Sequence, residues 1–153
     1  MTAHNSKKSP AFVVLMADDD PDDVSLVADA LSESAYDHDF RSVSDGYELI
    51  QYLHRRGFYA IPENAPEPHV ILLDLNMPKQ NGTEVLAELK NTRHLRDIPV
   101  VILTTSDAER DHTRTTSLGA DGYLAKPNTY EALVEMTRTL QSFRKAGGRQ
   151  IGK

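Results

Sequence analysis

Residues 12–23 read F-V-V-L-M-A-D-D-D-P-D-D. An apolar run stops abruptly at five carboxylates within six positions, 18–23. The run is too continuous for a half-exposed strand and too short for a membrane span. It suits a strand buried on both faces of a parallel sheet. Pro21 then favours the first position of a helix, which makes Asp20 its N-cap and puts Asp22 and Asp23 in the first turn. There the helix dipole favours each negative charge by about 0.3–1 kcal/mol. Asp18 and Asp19 are left over. They close a buried strand, where like charges raise one another's pKa or recruit a cation.

Similar runs recur. V-I-L-L (70–73), V-V-I-L (100–103) and Y-L-A (123–125) read as strands, with a weaker D-F-R-S-V at 39–43. Between them lie helical patterns: Val24, Val27, Ala28 and Leu31; Leu49, Ile50 and Leu53; Val85, Leu86 and Leu89; and Leu133, Met136, Leu140 and Phe143. Residues 107–118 predict a weak helix with little to bury. N-T-Y-E (128–131) opens the last helix with an N-cap and a glutamate three residues on. The alternation predicts an α/β fold, a doubly wound five-stranded parallel sheet in the order 2-1-3-4-5. The proline-rich stretch 54–69 is long for its connection and is either functional or a tolerated insertion.

The chain has 153 residues, 39% hydrophobic and 26% charged, with a formal net charge of −6 and no cysteine. That predicts one soluble domain at 11–144, between a disordered lead-in (1–10) and a flexible tail (145–153). The acidic balance argues against nucleic-acid binding, so no DNA partner is expected. Lack of cysteine excludes disulfides and thiol chemistry. No run resembles a signal peptide or a membrane span, so the expected compartment is the cytoplasm.

Ligands of open α/β sheets bind at the carboxyl ends of the strands. In the predicted order Asp18, Asp19, Asp74, Thr104 and Lys126 converge there. Three carboxylates together suit a hard divalent metal such as Mg²⁺. An aspartate beside a metal can attack phosphorus and form an aspartyl phosphate. Its new oxygens then need the metal, a lysine and a hydroxyl or N–H.

Together, D-D after the first strand, D-L-N-M-P (74–78), T-T-S (104–106) and G-A-D-G-Y-L-A-K-P (119–127) resemble the receiver domain of two-component response regulators. The resemblance covers about 11–144 and implies a flavodoxin-like fold. The long 54–69 loop, L-L-D-L-N-M-P and L-T-T-S resemble the single-domain regulators of phytochrome-type histidine kinases. The resemblance implies a phosphoacceptor switch rather than an enzyme, phosphorylated on Asp74 by such a kinase and signalling through protein contacts. It implies Mg²⁺ at Asp18, Asp19, Asp74 and the backbone carbonyl of Asn76. Thr104 would be the switch hydroxyl, Tyr123 the switch aromatic and Lys126 the phosphate's cation, with a cis bond to Pro127. Thr105 stands where many receivers carry a smaller residue and would narrow access to the phosphate. A homodimer through the fourth helix, fifth strand and fifth helix is also implied. One alternative is a phosphatase of the haloacid dehalogenase type, using Asp18-Asp19-Asp20 as D-x-D. Another is a pseudo-receiver, a binding module that never takes phosphate.

Overall fold

The computed structural model describes residues 11–34, 37–75, 77, 82–127 except 105–115, and 129–151, with only the backbone at 104 and 144–151. Five parallel strands are β1 (Phe12–Ala17), β2 (His38–Val43), β3 (Val70–Leu73), β4 (Val100–Thr104) and β5 (Gly122–Ala125), in the order β2-β1-β3-β4-β5. This is the predicted topology. Among the described residues the α-helices are α1 (Pro21–Ser32), α2 (Gly46–Leu53), α3 (Gly82–Asn91) and α4 (Tyr130–Ile151). The predicted helix at 107–118 lies almost wholly outside the described residues. No helix among the described residues is long and apolar enough to cross a membrane.

The two faces of the sheet make two cores. Leu15, Ala17, Ile71, Leu73 and Ile102 pack with α2 and α3. Phe12, Val14, Met16, Leu72 and Leu103 pack with α1 and α4. Because a strand's side chains alternate, a strand sandwiched between helix layers must be apolar at every position. Every residue of β1 and β3 is buried. On α1 the buried residues are Val27, Ala30 and Leu31, with Ala30 taking the place expected of Ala28. On α4, Leu133, Met136 and Leu140 are buried within the protomer and Phe143 packs partly against the same core.

Helix α1 starts as expected: Asp20 caps it, its carboxylate accepting the Asp22 N–H, with Pro21 next. Two local expectations shift. α4 begins at Tyr130, where Thr129 Oγ1 accepts the Ala132 N–H, so the cap falls one residue after Asn128. Both residue types cap well, and one residue of register separates them. The α4 backbone also stays helical to Ile151, across part of the expected tail, since no proline interrupts it.

The 54–69 stretch is tied down. It forms two short 3₁₀ turns, Gly57–Ala60 and Pro62–Asn64. The Tyr59 hydroxyl donates to Glu48 Oε2 (2.6 Å) and the Tyr52 hydroxyl to the Pro66 carbonyl (2.7 Å). Entry into the stretch is set at the end of α2. Arg55 sits at φ 57, and the N–H groups of Arg55 and Arg56 reach back to the carbonyls of Tyr52 and Gln51. That is the Schellman closure, with arginine where glycine is usual.

Candidate functional site

Backbone register builds the site. Ala17 pairs with Leu73 across β1 and β3, and the Asp74 N–H donates to the Ala17 carbonyl at 3.0 Å. Asp18, one step past Ala17, thereby lies beside Asp74. Thr104 pairs with Ala125 at the ends of β4 and β5, so Lys126 follows on the same rim. Sequence reasoning brought Asp18, Asp19, Asp74 and Lys126 together, and the structure does too.

Asp18, Asp19 and Asp74 each offer a carboxylate oxygen within 4.8 Å of the others. Asp18 and Asp74 are buried and Asp19 is exposed. Asp18 Oδ1 accepts the Asp20 N–H at 2.9 Å, whereas its Oδ2 is buried without a directional hydrogen bond. Burial pushes the Asp18 carboxyl up. The Asp20 N–H and Lys126 oppose that shift, and the Asp74 charge adds to it.

Lys126 reaches into this group. Its Nζ lies 2.7 Å from Asp23 Oδ2, 3.0 Å from Asp18 Oδ2 and 3.5 Å from Asp74 Oδ2. The Asp18 contact is an ion pair whose geometry is off-line for a hydrogen bond, which reconciles it with the unbonded Oδ2. Desolvation pulls the ammonium's pKa down. The hydrogen bond it donates to Asp23, the close Asp18 carboxylate and the charge of Asp74 outweigh it, so the pKa ends raised. Three carboxylates thus share one ammonium, with the Asp19 carboxylate close by. The all-oxygen donor set, the surplus negative charge and the buried unbonded Asp18 oxygen all fit a hard divalent cation.

The other expected residues are placed less fully. Tyr123 is half-buried against the core shared with α2 and α3. The Thr104 side chain, the Asn76 carbonyl and Thr105 lie outside the described residues. No peptide bond among the described residues is cis, so Lys126–Pro127 is trans against expectation. A prolyl bond favours trans by only about 0.5–1 kcal/mol, and nothing in a single sequence sets its local preference.

Two residues were missed. Asp23 was read as a helix-dipole residue alone, yet it makes the shortest contact to Lys126. Gly82 is the other. A Cβ there would stand 2.7 Å from Leu75 Cα and 3.0 Å from the Asp74 carbonyl oxygen, so the start of α3 rests directly on the Asp74 loop. The N-G at 81–82 was its only sequence signal.

A family model described as the response regulator receiver domain matches residues 14–138. The chain belongs to the response regulator receiver family. This receiver is 39% identical over 139 residues to response regulator Rcp1 of Synechocystis sp., covering 91% of this chain and 92% of Rcp1. The crystal structure of Mn²⁺-bound Rcp1 matches it with a TM-score of 0.76 at 40% identity, over 88% of this chain and 94% of the other. The phosphorylated cyanobacterial phytochrome response regulator RcpA matches with a TM-score of 0.79 at 36% identity, over 88% and 94%. The receiver match leaves the phosphatase alternative without support. Its second aspartate, Asp20, is exposed and engaged as a helix cap.

Proposed function

We propose that this receiver accepts a phosphoryl group on Asp74 from the phosphohistidine of a histidine kinase, and that the kinase is of the phytochrome type. The observation that carries the reading is the convergence of Asp18, Asp19 and Asp74 with Lys126 at the carboxyl ends of β1, β3 and β5. Similarity to Rcp1 and to the phytochrome regulator RcpA supports the choice of kinase.

Asp18, Asp19, Asp74 and the Asn76 carbonyl would hold Mg²⁺. When bound, the cation supplies the charge that steadies and neutralises a phosphoryl group. An Asp74 carboxylate oxygen attacks phosphorus, forming an O–P bond as the N–P bond to the kinase imidazole breaks. Lys126 lies 3.5 Å from Asp74 Oδ2 and would pair with a phosphoryl oxygen. Thr104 would donate its hydroxyl to another. Tyr123 would turn inward as Thr104 moves, changing the face that β5 and α4 would share with the helix expected at 107–118.

Output then passes through protein contacts in the cytoplasm, including a homodimer across that face. Leu133, Met136 and Leu140 are buried in the protomer, so other residues would make such a dimer. Light scattering with and without beryllofluoride tests it, and a monomer in both conditions refutes it. The pseudo-receiver alternative predicts a missing acid, threonine or lysine, and none is missing from the sequence; Mg²⁺-dependent beryllofluoride binding separates the two.

The principal test is labelling by acetyl phosphate or a phytochrome-type kinase with Mg²⁺. Wild type should acquire an acid-stable, hydroxylamine-labile phosphate, and Asp74→Asn should acquire none. Label persisting in Asp74→Asn would refute the assignment.

A further inference from the structure

Three carboxylates contact the Lys126 ammonium, and they do not share it equally. Asp23 is nearest at 2.7 Å, with hydrogen-bond geometry. Asp18, at 3.0 Å, lacks that geometry. Asp74, the proposed phosphoacceptor, is farthest at 3.5 Å. A short, charge-assisted hydrogen bond is the stronger kind, so the ammonium is drawn toward α1 and away from Asp74.

Asp23 is well built for that pull. It stands in the first turn of α1, whose start is fixed by Pro21 and by the Asp20 cap. It lies outside the trio able to hold a metal. A dication held by the trio repels the ammonium, and Asp23 is then the contacting carboxylate not engaged with the metal. A phosphoryl group on Asp74 offers new anionic oxygens, and Lys126 cannot serve both them and Asp23 at full strength.

We propose that Asp23 is a positioning residue that holds Lys126 back from Asp74, so that an incoming phosphoryl group must draw the ammonium off Asp23. The inference rests on reading Asp74 as the phosphoacceptor. It assigns Asp23 a resting-state role: it restrains how tightly the site holds phosphate.

The test is calorimetric titration of the full chain with beryllofluoride at saturating Mg²⁺. Asp23→Asn keeps the shape and an acceptor but removes the charge. It should bind beryllofluoride about three- to tenfold more tightly, the difference between a charged and a neutral hydrogen-bond partner at a partly open site. Asp23→Glu restores the charge and should return affinity toward wild type. Asp22→Asn removes the same charge from the same turn without touching Lys126, and should change affinity less than about twofold. Weaker or unchanged binding in Asp23→Asn overturns the proposal, because a purely structural role predicts loss. Equal tightening in Asp22→Asn overturns it as well, by reducing the effect to net charge. If wild type binds no beryllofluoride, the receiver reading of Asp74 falls first and this proposal with it.

Discussion

Lys90 and Lys126 sit at opposite ends of one sheet. At the amino ends of the strands, Lys90 Nζ donates to the carbonyls of Arg96 and Ile98, both at 3.0 Å, and to Asp121 Oδ2 at 2.9 Å. Asp121 Oδ2 also accepts the Val100 N–H at 2.8 Å. Three donors meet three acceptors and one charge meets one charge, so this cluster is complete. At the carboxyl ends, Lys126 faces three carboxylates with Asp19 close by. That cluster is overdrawn in negative charge, and its buried Asp18 Oδ2 has no hydrogen bond. Both lysines are largely buried, with side chains 13% and 16% exposed, so burial does not distinguish the two clusters. The balance of charge and of hydrogen-bond capacity does.

Exchanging each lysine for methionine should break the comparison most visibly. Lys126→Met should slow labelling by acetyl phosphate about 10²-fold or more, the usual cost of removing a group that stabilises developing charge. Lys90→Met should leave the rate per folded molecule within about twofold. Its loss should appear instead in urea unfolding, at about 1–3 kcal/mol, because Asp121 and two carbonyls lose a partner.

Divalent metal sharpens the contrast. Saturation to about a hundred times the dissociation constant adds about 2.7 kcal/mol to a folded state that alone binds it. Mg²⁺ should therefore offset much of the destabilisation of metal-free Lys126→Met, where it would supply the positive charge that the ammonium no longer does. In Lys90→Met it should add only what it adds to wild type. Melting temperatures with Mg²⁺ and with chelator decide the point.

Acid sharpens it further. The Asp18 carboxyl is raised above its ordinary 3.8 by burial first. Its folded state therefore holds a proton more readily than the unfolded chain. This contribution to stability is full below the unfolded value and is lost as pH rises through the folded one. Metal needs the deprotonated carboxylate, so the Mg²⁺-dependent rise in melting temperature should shrink as pH falls toward the raised value. A constant rise down to pH about 4 would contradict the assignment of Asp18 to the metal. The smallest expected effect is at Asp121→Asn, which keeps an acceptor but loses a partly exposed charge. It should cost about 0.5–1 kcal/mol with no change in metal response.

The fold was legible because β1 and β3 are apolar at every position, which only a strand covered on both faces requires. The site was legible because Asp18, Asp74 and Lys126 each follow a strand directly, and the strand order carries them to one rim. The Asp23–Lys126 contact was hidden by a sufficient local explanation. An aspartate in a helix's first turn already accounts for itself, and its partner lies 103 residues away. Lys90 left no signal either, since two of its three acceptors are backbone carbonyls, which any residue supplies. The cap of α4 moved by one because asparagine and threonine stand side by side and both serve.

The acidic stretch at the start of α1 is bonded through alternate residues. Asp18 takes the N–H of Asp20, and Asp20 takes that of Asp22. Such a chain counts. A substitution at 19 or 22 alters charge and leaves the count intact. Adding or deleting one residue between 18 and 23 would exchange the parts, putting a cap where a cation-holding side chain should stand. The segment can vary at position 22 but not in its length, so functional variants of it should differ there by replacement and never by insertion.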